Sequence, residues 1–387
     1  MSRNGNLEYI DALRGLAILG VLCVHFAGFG MPIFGLEYLP FNLEALFFEG
    51  KYGVALFFVV SAFTLMRSME FRILTENLAI RKYFLRRFFR IAPAFYLVIL
   101  LVFFIRGTGV TGYTNPDQPE LTLINLFAHM TFLNGFSPYY INDFIGVEWS
   151  VATEFSFYML LPFIMIVLIS RLHTGIKFLI TGGGFFISLY LYWYIYNGLL
   201  FTIFKDLDFT IGSAWGYFFI GSQLHVFIVG VFTWLLMTKV NMSEYVSKNI
   251  GIICLLFLCF VGVLFAYIHY NNANNAVLQF YALTFWGIMS GLLIISLDIV
   301  RPRLRWLEFF GRISFSLYLV HYVIGSIVAG PTDWWIACME IIGPELSFWA
   351  YFLLTVVLSS YIAFLMHKYI ELPGINYGKD VINKRYA

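Results

Sequence analysis

The chain has 387 residues, 60% of them hydrophobic and 20% aromatic. Only 12% are charged, against about 25% in an average soluble domain. With a mean hydropathy of +0.81 and 44 Phe and 25 Tyr, this excludes an ordinary soluble globule and also a disordered chain, which lacks the apolar mass for a core. A net charge of +2 excludes a strongly basic surface, and no His or Cys cluster has metal-ligand spacing, so neither nucleic acid nor a metal is expected.

A spanning helix needs roughly 20 largely apolar residues, whereas a barrel needs strict alternation, which is absent. The chain therefore reads as an all-α, polytopic transmembrane helix bundle. Spans fall near 11–29, 47–66, 88–105, 149–170, 178–200, 213–238, 250–270, 277–297, 313–330 and 347–366. The segment 121–134 (LTLINLFAHMTFLN) is apolar but short, and reads as a re-entrant or interfacial piece or as an eleventh helix.

Ten spans put both termini on one side. Of the 24 Lys and Arg, all but four then fall on that side; Lys51, Arg106 and Lys205 lie opposite, and Arg14 lies within the first helix. The positive-inside rule places both termini in the cytoplasm. Asp11 and Arg14 interrupt the place where a signal peptide would begin its apolar region, so the first run is read as a retained helix. A single membrane domain over 1–387 is expected, with no appended soluble domain. Of the Cys residues, Cys23, Cys254 and Cys259 fall in apolar runs and Cys338 in a loop, which gives no disulfide framework.

The first helix contains both Arg14 and His25. Eleven steps of 100° come to about 1100°, within about 20° of three turns, so the two share one face about 16 Å apart along the axis. An ionisable residue inside a membrane is expensive and faces a partner or a water-filled cavity. The fourth helix begins EWSVATEFSFYMLLP, where Ser150, Glu154 and Tyr158 form a stripe at four-residue spacing. Glu154 descends from the outer face to nearly the depth of His25, where a carboxylate and an imidazole can form an acid–base pair. In the ninth helix, GRISFSLYLVH puts Ser314, Tyr318 and His321 on one face. Before the third helix, the loop RKYFLRRFFRIAP carries Arg86, Arg87 and Arg90; their guanidinium forks suit phosphate oxygens, and they also suit simple topology anchoring. Pro93 behind them is expected to fix where the third helix starts. All three polar stripes equally suit structural hydrogen bonds between helices.

Together these residues resemble the acyltransferase 3 family of integral-membrane O-acyltransferases, from Tyr9 to about Pro373. The most specific match is a basic residue, ten intervening residues and a histidine, found as Arg14 and His25 in DALRGLAILGVLCVH. The paired-arginine signature is matched by Arg87 and Arg90, and WSVATEF and ISFSLYLVH match two further segments. Ser61, Ala62 and Phe63 stand where the family often has Ser-Gly-Phe, and Glu371, Leu372 and Pro373 stand for its late acidic, basic and proline residues. These departures make Ser61 and Glu371 poor candidates for chemistry.

The resemblance implies transfer of an acyl group, often acetyl, from a cytoplasmic coenzyme A thioester to an extracytoplasmic hydroxyl. It implies acetyl-CoA or another acyl-CoA as donor and no metal. The acceptor would be a saccharide or glycolipid, first a surface polysaccharide or lipid-linked glycan, either reached directly or through a separate extracytoplasmic transfer partner. Under that reading Arg86, Arg87 and Arg90 hold the donor phosphates and Arg14 stands at the entrance. His25 is the general base, oriented by Glu154, while Ser150, Tyr158, Ser314, Tyr318 and His321 support substrate or transition state. The aromatic-rich segment 107–148 is a candidate sugar contact. The implied location is multi-pass in the lipid of a bacterial cytoplasmic membrane. The main alternative is a proton- or ion-coupled transporter, which also uses buried His, Glu and Arg; a non-catalytic scaffold is the second.

Overall fold

The computed structural model describes residues 8–34, 43–106, 122–170, 172–199, 209–240 and 246–386. In chain order its helices are α1 (Glu8–Phe34), α2 (Leu43–Glu49), α3 (Gly53–Thr75), α4 (Ala79–Arg106), α5 (Leu123–Met130), α6 (Trp149–Ile169), α7 (Thr174–Tyr194), α8 (Phe209–Phe218) and α9 (Ile220–Val240). Then follow α10 (Lys248–Asn271), α11 (Ala276–Val300), α12 (Arg305–Ala329), α13 (Thr332–Ile342), α14 (Pro344–Met366) and α15 (Leu372–Tyr386). No strand occurs among the described residues, and 10 helical spans are long and apolar enough to cross a membrane. The chain is an integral multi-pass membrane protein.

The short segment after α4 does not make an eleventh span. Helix α5 has 8 residues, about 12 Å, against a hydrocarbon core of about 30 Å. Thr122 caps it by accepting from the Asn125 amide. Of the candidate sugar-contact segment, 107–121 lies outside the described residues.

Three boundaries correct the sequence reading. The arginine run is not a loop: α4 starts at Ala79 and carries Pro93 inside it. A charge-rich opening without Gly is a good helix former, so hydropathy alone starts this helix too late. At 28 residues α4 is about 42 Å long, which lets its arginine-bearing turns project beyond the apolar core. Cys338 lies within the short helix α13 rather than in a loop. Past Met366 the chain turns once with π spacing at His367–Glu371 and continues as α15, a polar helix that a search for apolar runs cannot find.

The chain forms two compact units, divided within helices. The first comprises Met1–Val60 and Leu236–Phe364, the second Ser61–Leu235 and Leu365–Ala387. In the first, α1 packs on α12 at glycines. A Cβ at Gly15 would overlap the Leu307 carbonyl oxygen, and one at Gly311 the Asp11 carbonyl oxygen. Small residues at such a crossing let two backbones touch, which is how helices associate where lipid removes the hydrophobic drive. In the second, Gly374 and Gly378 of α15 seat on α4. Their Cβ positions would lie 2.8 Å from Pro93 Cγ and 2.6 Å from Phe89 Cβ. Pro93 lacks the N–H that would bond the Phe89 carbonyl, and Gly374 packs against that same carbonyl.

Candidate functional site

In the first unit the glycine contact sets a register. His25 lies ten residues beyond Gly15 on α1, and His321 ten beyond Gly311 on α12, each about 15 Å further along its axis. There His25 Nδ1 meets His321 Nε2 at 2.8 Å, with ring centroids 5.0 Å apart. The second nitrogen of His321, Nδ1, faces the Tyr318 carbonyl at 2.7 Å and the Leu317 carbonyl at 3.2 Å.

A carbonyl only accepts, so His321 Nδ1 carries the hydrogen. In the neutral pair His321 Nε2 is then an acceptor, His25 Nδ1 donates to it, and His25 Nε2 is left with a bare lone pair. His321 is buried, whereas His25 is half-buried. Tyr322 meets the His25 ring edge-on at 5.2 Å, and Tyr318 packs against Phe57. Ser314 and Tyr318 are buried on the same helix. Arg14 lies 3.7 Å from Asp11.

The sequence reading paired His25 with Glu154. In the structure the Nδ1 partner of His25 is His321, and Glu154 belongs to the other unit, where it accepts a hydrogen bond from Ser61. Ser61, set aside on sequence, is thus the direct partner of Glu154. The Tyr158 hydroxyl is hydrogen-bonded to both. The Arg87 guanidinium sits 5.8 Å over the Tyr158 ring, and the Tyr83 hydroxyl donates to the Tyr158 carbonyl at 3.2 Å. Glu154 and Tyr158 therefore act as a stripe, while the Ser150 hydroxyl donates back to the Val147 carbonyl.

Two arginines of α4 are held by carboxylates, Arg86 by Glu76 and Arg90 by Glu371. Arg86 Nη2 donates to Glu76 Oε2 at 2.5 Å, and Arg72 Nη1 to Glu76 Oε1 at 2.7 Å. Arg90 Nη2 lies 3.8 Å from Glu371, whose other oxygen is 2.9 Å from His367 Nδ1. Arg86 Nη1 and Arg87 Nε are buried donors with no acceptor among the described residues. Buried polar groups nearly always have partners, and these two donors are exceptions. Sequence reasoning missed Glu76 and Glu371 as holders. The i,i+4 spacing of Arg72 and Glu76 was a readable signal; the distance along the chain from Arg90 to Glu371 left none.

Burial opposes ionisation of Glu76, but the hydrogen bonds and charges of Arg86 and Arg72 more than offset it and hold this carboxyl below the usual carboxylate range. Because the folded value lies below the unfolded one, the stabilisation is fully present above about pH 4.3, the ordinary Glu value, and is lost as pH falls through the folded value. Acid titration of detergent-solubilised protein should therefore show a loss of thermal stability below about pH 4 that Glu76→Gln makes smaller. An unchanged titration in that variant would remove Glu76 as the holder.

Two further buried histidines close in on themselves. His269 Nδ1 meets Glu49 at 2.5 Å while Trp286 donates to the same carboxylate. His129 lies 3.5 Å from Glu148, whose oxygens accept the amides of Phe144, Ile145 and Val147. Both rings are 0% exposed, and each keeps a buried Nε2 without a hydrogen-bond partner among the described residues.

The acyltransferase domain model matches residues 7–368. "Putative O-acetyltransferase SACOL0978" of Staphylococcus aureus strain COL is 24% identical over 407 aligned positions, covering 97% of this chain and 58% of that protein. "Putative acetyltransferase ORF330" of Acidianus two-tailed virus is 31% identical over 175 residues, 45% of this chain and 44% of that protein. The chain thus spans about half the length of these curated relatives. No solved structure matches it. With a match over nearly its whole length and ten apolar spans carrying the histidine and arginine motifs, the chain belongs to the acyltransferase domain family as a multi-pass membrane member.

Proposed function

We propose that the chain is a membrane O-acyltransferase, and first an O-acetyltransferase, with both termini cytoplasmic. It moves an acyl group from cytoplasmic acyl-CoA to a hydroxyl of an extracytoplasmic acceptor, a surface polysaccharide or lipid-linked glycan. The observation that carries this reading is the bare Nε2 of half-buried His25, left free by the bond of Nδ1 to His321. The names of the matched relatives support acetyl as the group transferred.

In this mechanism the acceptor oxygen attacks the thioester carbonyl while its proton passes to His25 Nε2. His321 Nε2 keeps the Nδ1–H of the resulting imidazolium bonded, so it is the positioning residue for His25. The C–S bond then breaks, and the proton on Nε2 goes to the departing thiolate, giving an ester and a thiol. Attack by Nε2 itself would give an acyl-histidine and double-displacement kinetics from the same nitrogen.

Arg86, Arg87 and Arg90 bind the donor phosphates, the first two through the unpartnered donors Arg86 Nη1 and Arg87 Nε. Glu154 holds Tyr158 under Arg87. Arg14 guards the entrance of the donor arm; Ser314 and Tyr318 support substrate on the helix of His321, and Ser150 is a support residue of the second unit. Arg87→Gln should raise the donor KM about 10-fold with a smaller change in kcat, as loss of one charge-assisted contact does.

The test is transfer of labelled acetyl from acetyl-CoA into membrane material by membranes bearing the chain. Label that depends on the chain and on His25 supports the proposal. Equal label with and without His25 overturns the mechanism, and solute flux without acyl-CoA turns the reading to a transporter.

A further inference from the structure

In the second unit the last turn of α3, the first turn of α4 and the last turn of α6 enclose a cavity of about 670 Å³. Its volume falls within the range of about 300–1,000 Å³ usual for small-molecule sites. All three helices belong to apolar spans that end here, so the cavity lies where hydrocarbon gives way to headgroups.

Two kinds of wall meet in it. Ile73 of α3 and Met165, Ile166 and Ile169 of α6 form the apolar side. Met165 is buried while Ile166 is 58% exposed, so this side runs from the interior out to the lipid. Glu76, Arg81 and Ser170 are the polar groups. Both oxygens of Glu76 are taken, one by Arg72 and one by Arg86. Arg81 is exposed and has no hydrogen bond or ion pair among the described residues, so its charge is left for a ligand. The Ser170 hydroxyl spends its hydrogen on the Val167 carbonyl at 2.5 Å, which leaves its lone pairs to accept from a ligand O–H or N–H.

An uncompensated guanidinium, a hydrogen-bond acceptor and an apolar wall open to lipid fit one molecule that carries a phosphodiester anion, a donating headgroup and an acyl chain. Phosphatidylcholine has no headgroup O–H or N–H for Ser170, and its own cation offsets its phosphate. A water-soluble phosphate ester would leave the wall of Ile73 and Ile166 uncovered, without the gain from burying apolar surface.

We propose that this cavity binds an anionic glycerophospholipid, with its phosphate on Arg81, a headgroup hydroxyl on Ser170 and the upper part of one chain against Ile73 and Ile166. The inference stands apart from the donor and acceptor readings. It bears on α4 through Glu76, because the carboxylate that lines the cavity also holds Arg72 and Arg86; a seated lipid braces the turn between α3 and α4.

The test titrates purified full-length protein in dodecyl maltoside with dioleoyl phosphatidylglycerol or dioleoyl phosphatidylcholine, and reads bound lipid by native mass spectrometry beside the melting temperature. Saturable retention of phosphatidylglycerol is expected, with a melting temperature that rises with its concentration, since a ligand of the folded state stabilises that state. Phosphatidylcholine should bind at least about 10-fold more weakly, the scale of one charge-assisted contact. Arg81→Gln should weaken phosphatidylglycerol binding about 10-fold, and so should Ile166→Trp, which fills the cleft from an exposed position. Lys384→Gln removes an exposed charge of the same unit outside the cavity and should leave binding unchanged. Glycerophosphoglycerol, the headgroup without chains, should not displace the lipid. Equal binding of the two lipids, or binding indifferent to Arg81→Gln or to Ile166→Trp, overturns the assignment. Equal weakening by Lys384→Gln overturns it in favour of diffuse attraction to a basic surface, and displacement by glycerophosphoglycerol overturns it in favour of a free phosphate ester.

Discussion

Replacement of His25 by Ala is expected to lower acyl transfer by about 10²–10⁴-fold, the span that a positioned general base supplies, while insertion and expression stay normal. The companion variants give the result its meaning. His321→Ala leaves the His25 base in place but removes the acceptor that fixes its tautomer, so the ring presents either nitrogen and turnover falls less, by about 10-fold. His321→Gln should recover part of that loss, because an amide oxygen can accept from His25 Nδ1–H. All three changes should appear in kcat at matched expression, with the donor KM little moved. A fully active His25→Ala protein would remove the base assignment, and a His321→Gln protein no better than His321→Ala would reduce His321 to a packing role.

The second large effect is on stability. Gly15→Val and Gly311→Val each drive side-chain atoms into a backbone carbonyl of the facing helix, at Leu307 and Asp11 respectively. Overpacked side chains in a core cost about 1–3 kcal/mol because neighbours swing aside; a carbonyl within a helix cannot, so the cost here should exceed about 3 kcal/mol. The readout is loss of monodisperse protein in detergent and a lowered aggregation temperature. Gly28→Ala is the control on the same helix, since nothing lies within 4 Å of its Cβ position; it should be neutral or raise stability by up to about 1 kcal/mol through helix propensity. If the valine variants fold as well as Gly28→Ala, the close crossing of α1 and α12 is wrong.

Sequence patterning identified the ten spans because each is a long apolar run, and an apolar run is a local property. It placed Ser314, Tyr318 and His321 on one helix face for the same reason, since that follows from spacing alone. Pairing is not local. His25 and His321 were both singled out, yet nothing in the spacing says that they meet, because their contact is set by glycines ten residues away on each helix. Ser61 was discounted because Ser61, Ala62 and Phe63 depart from the Ser-Gly-Phe pattern, and only the folded second unit shows it donating to Glu154. The arginine run was misread as a loop because charge was taken to end a span, whereas charge ends only the part of a helix that lies in hydrocarbon. Glu371 was discounted because Leu372 stands where the pattern has a basic residue; in the folded unit it sits against Arg90.

That last pairing has a consequence for synthesis. Helix α4 is made early, but Glu371 and the glycine seat of α15 come from the far end of the second unit's sequence. At about 5–20 residues per second, ribosomes reach Glu371 on the order of tens of seconds after Arg90. During that interval the arginine helix sits in the nascent chain without one of its counter-charges and without its packing partner. The arginine helix is thus clamped late in translation, and a stalled chain that already holds α4 and α6 still lacks the carboxylate that sets Arg90.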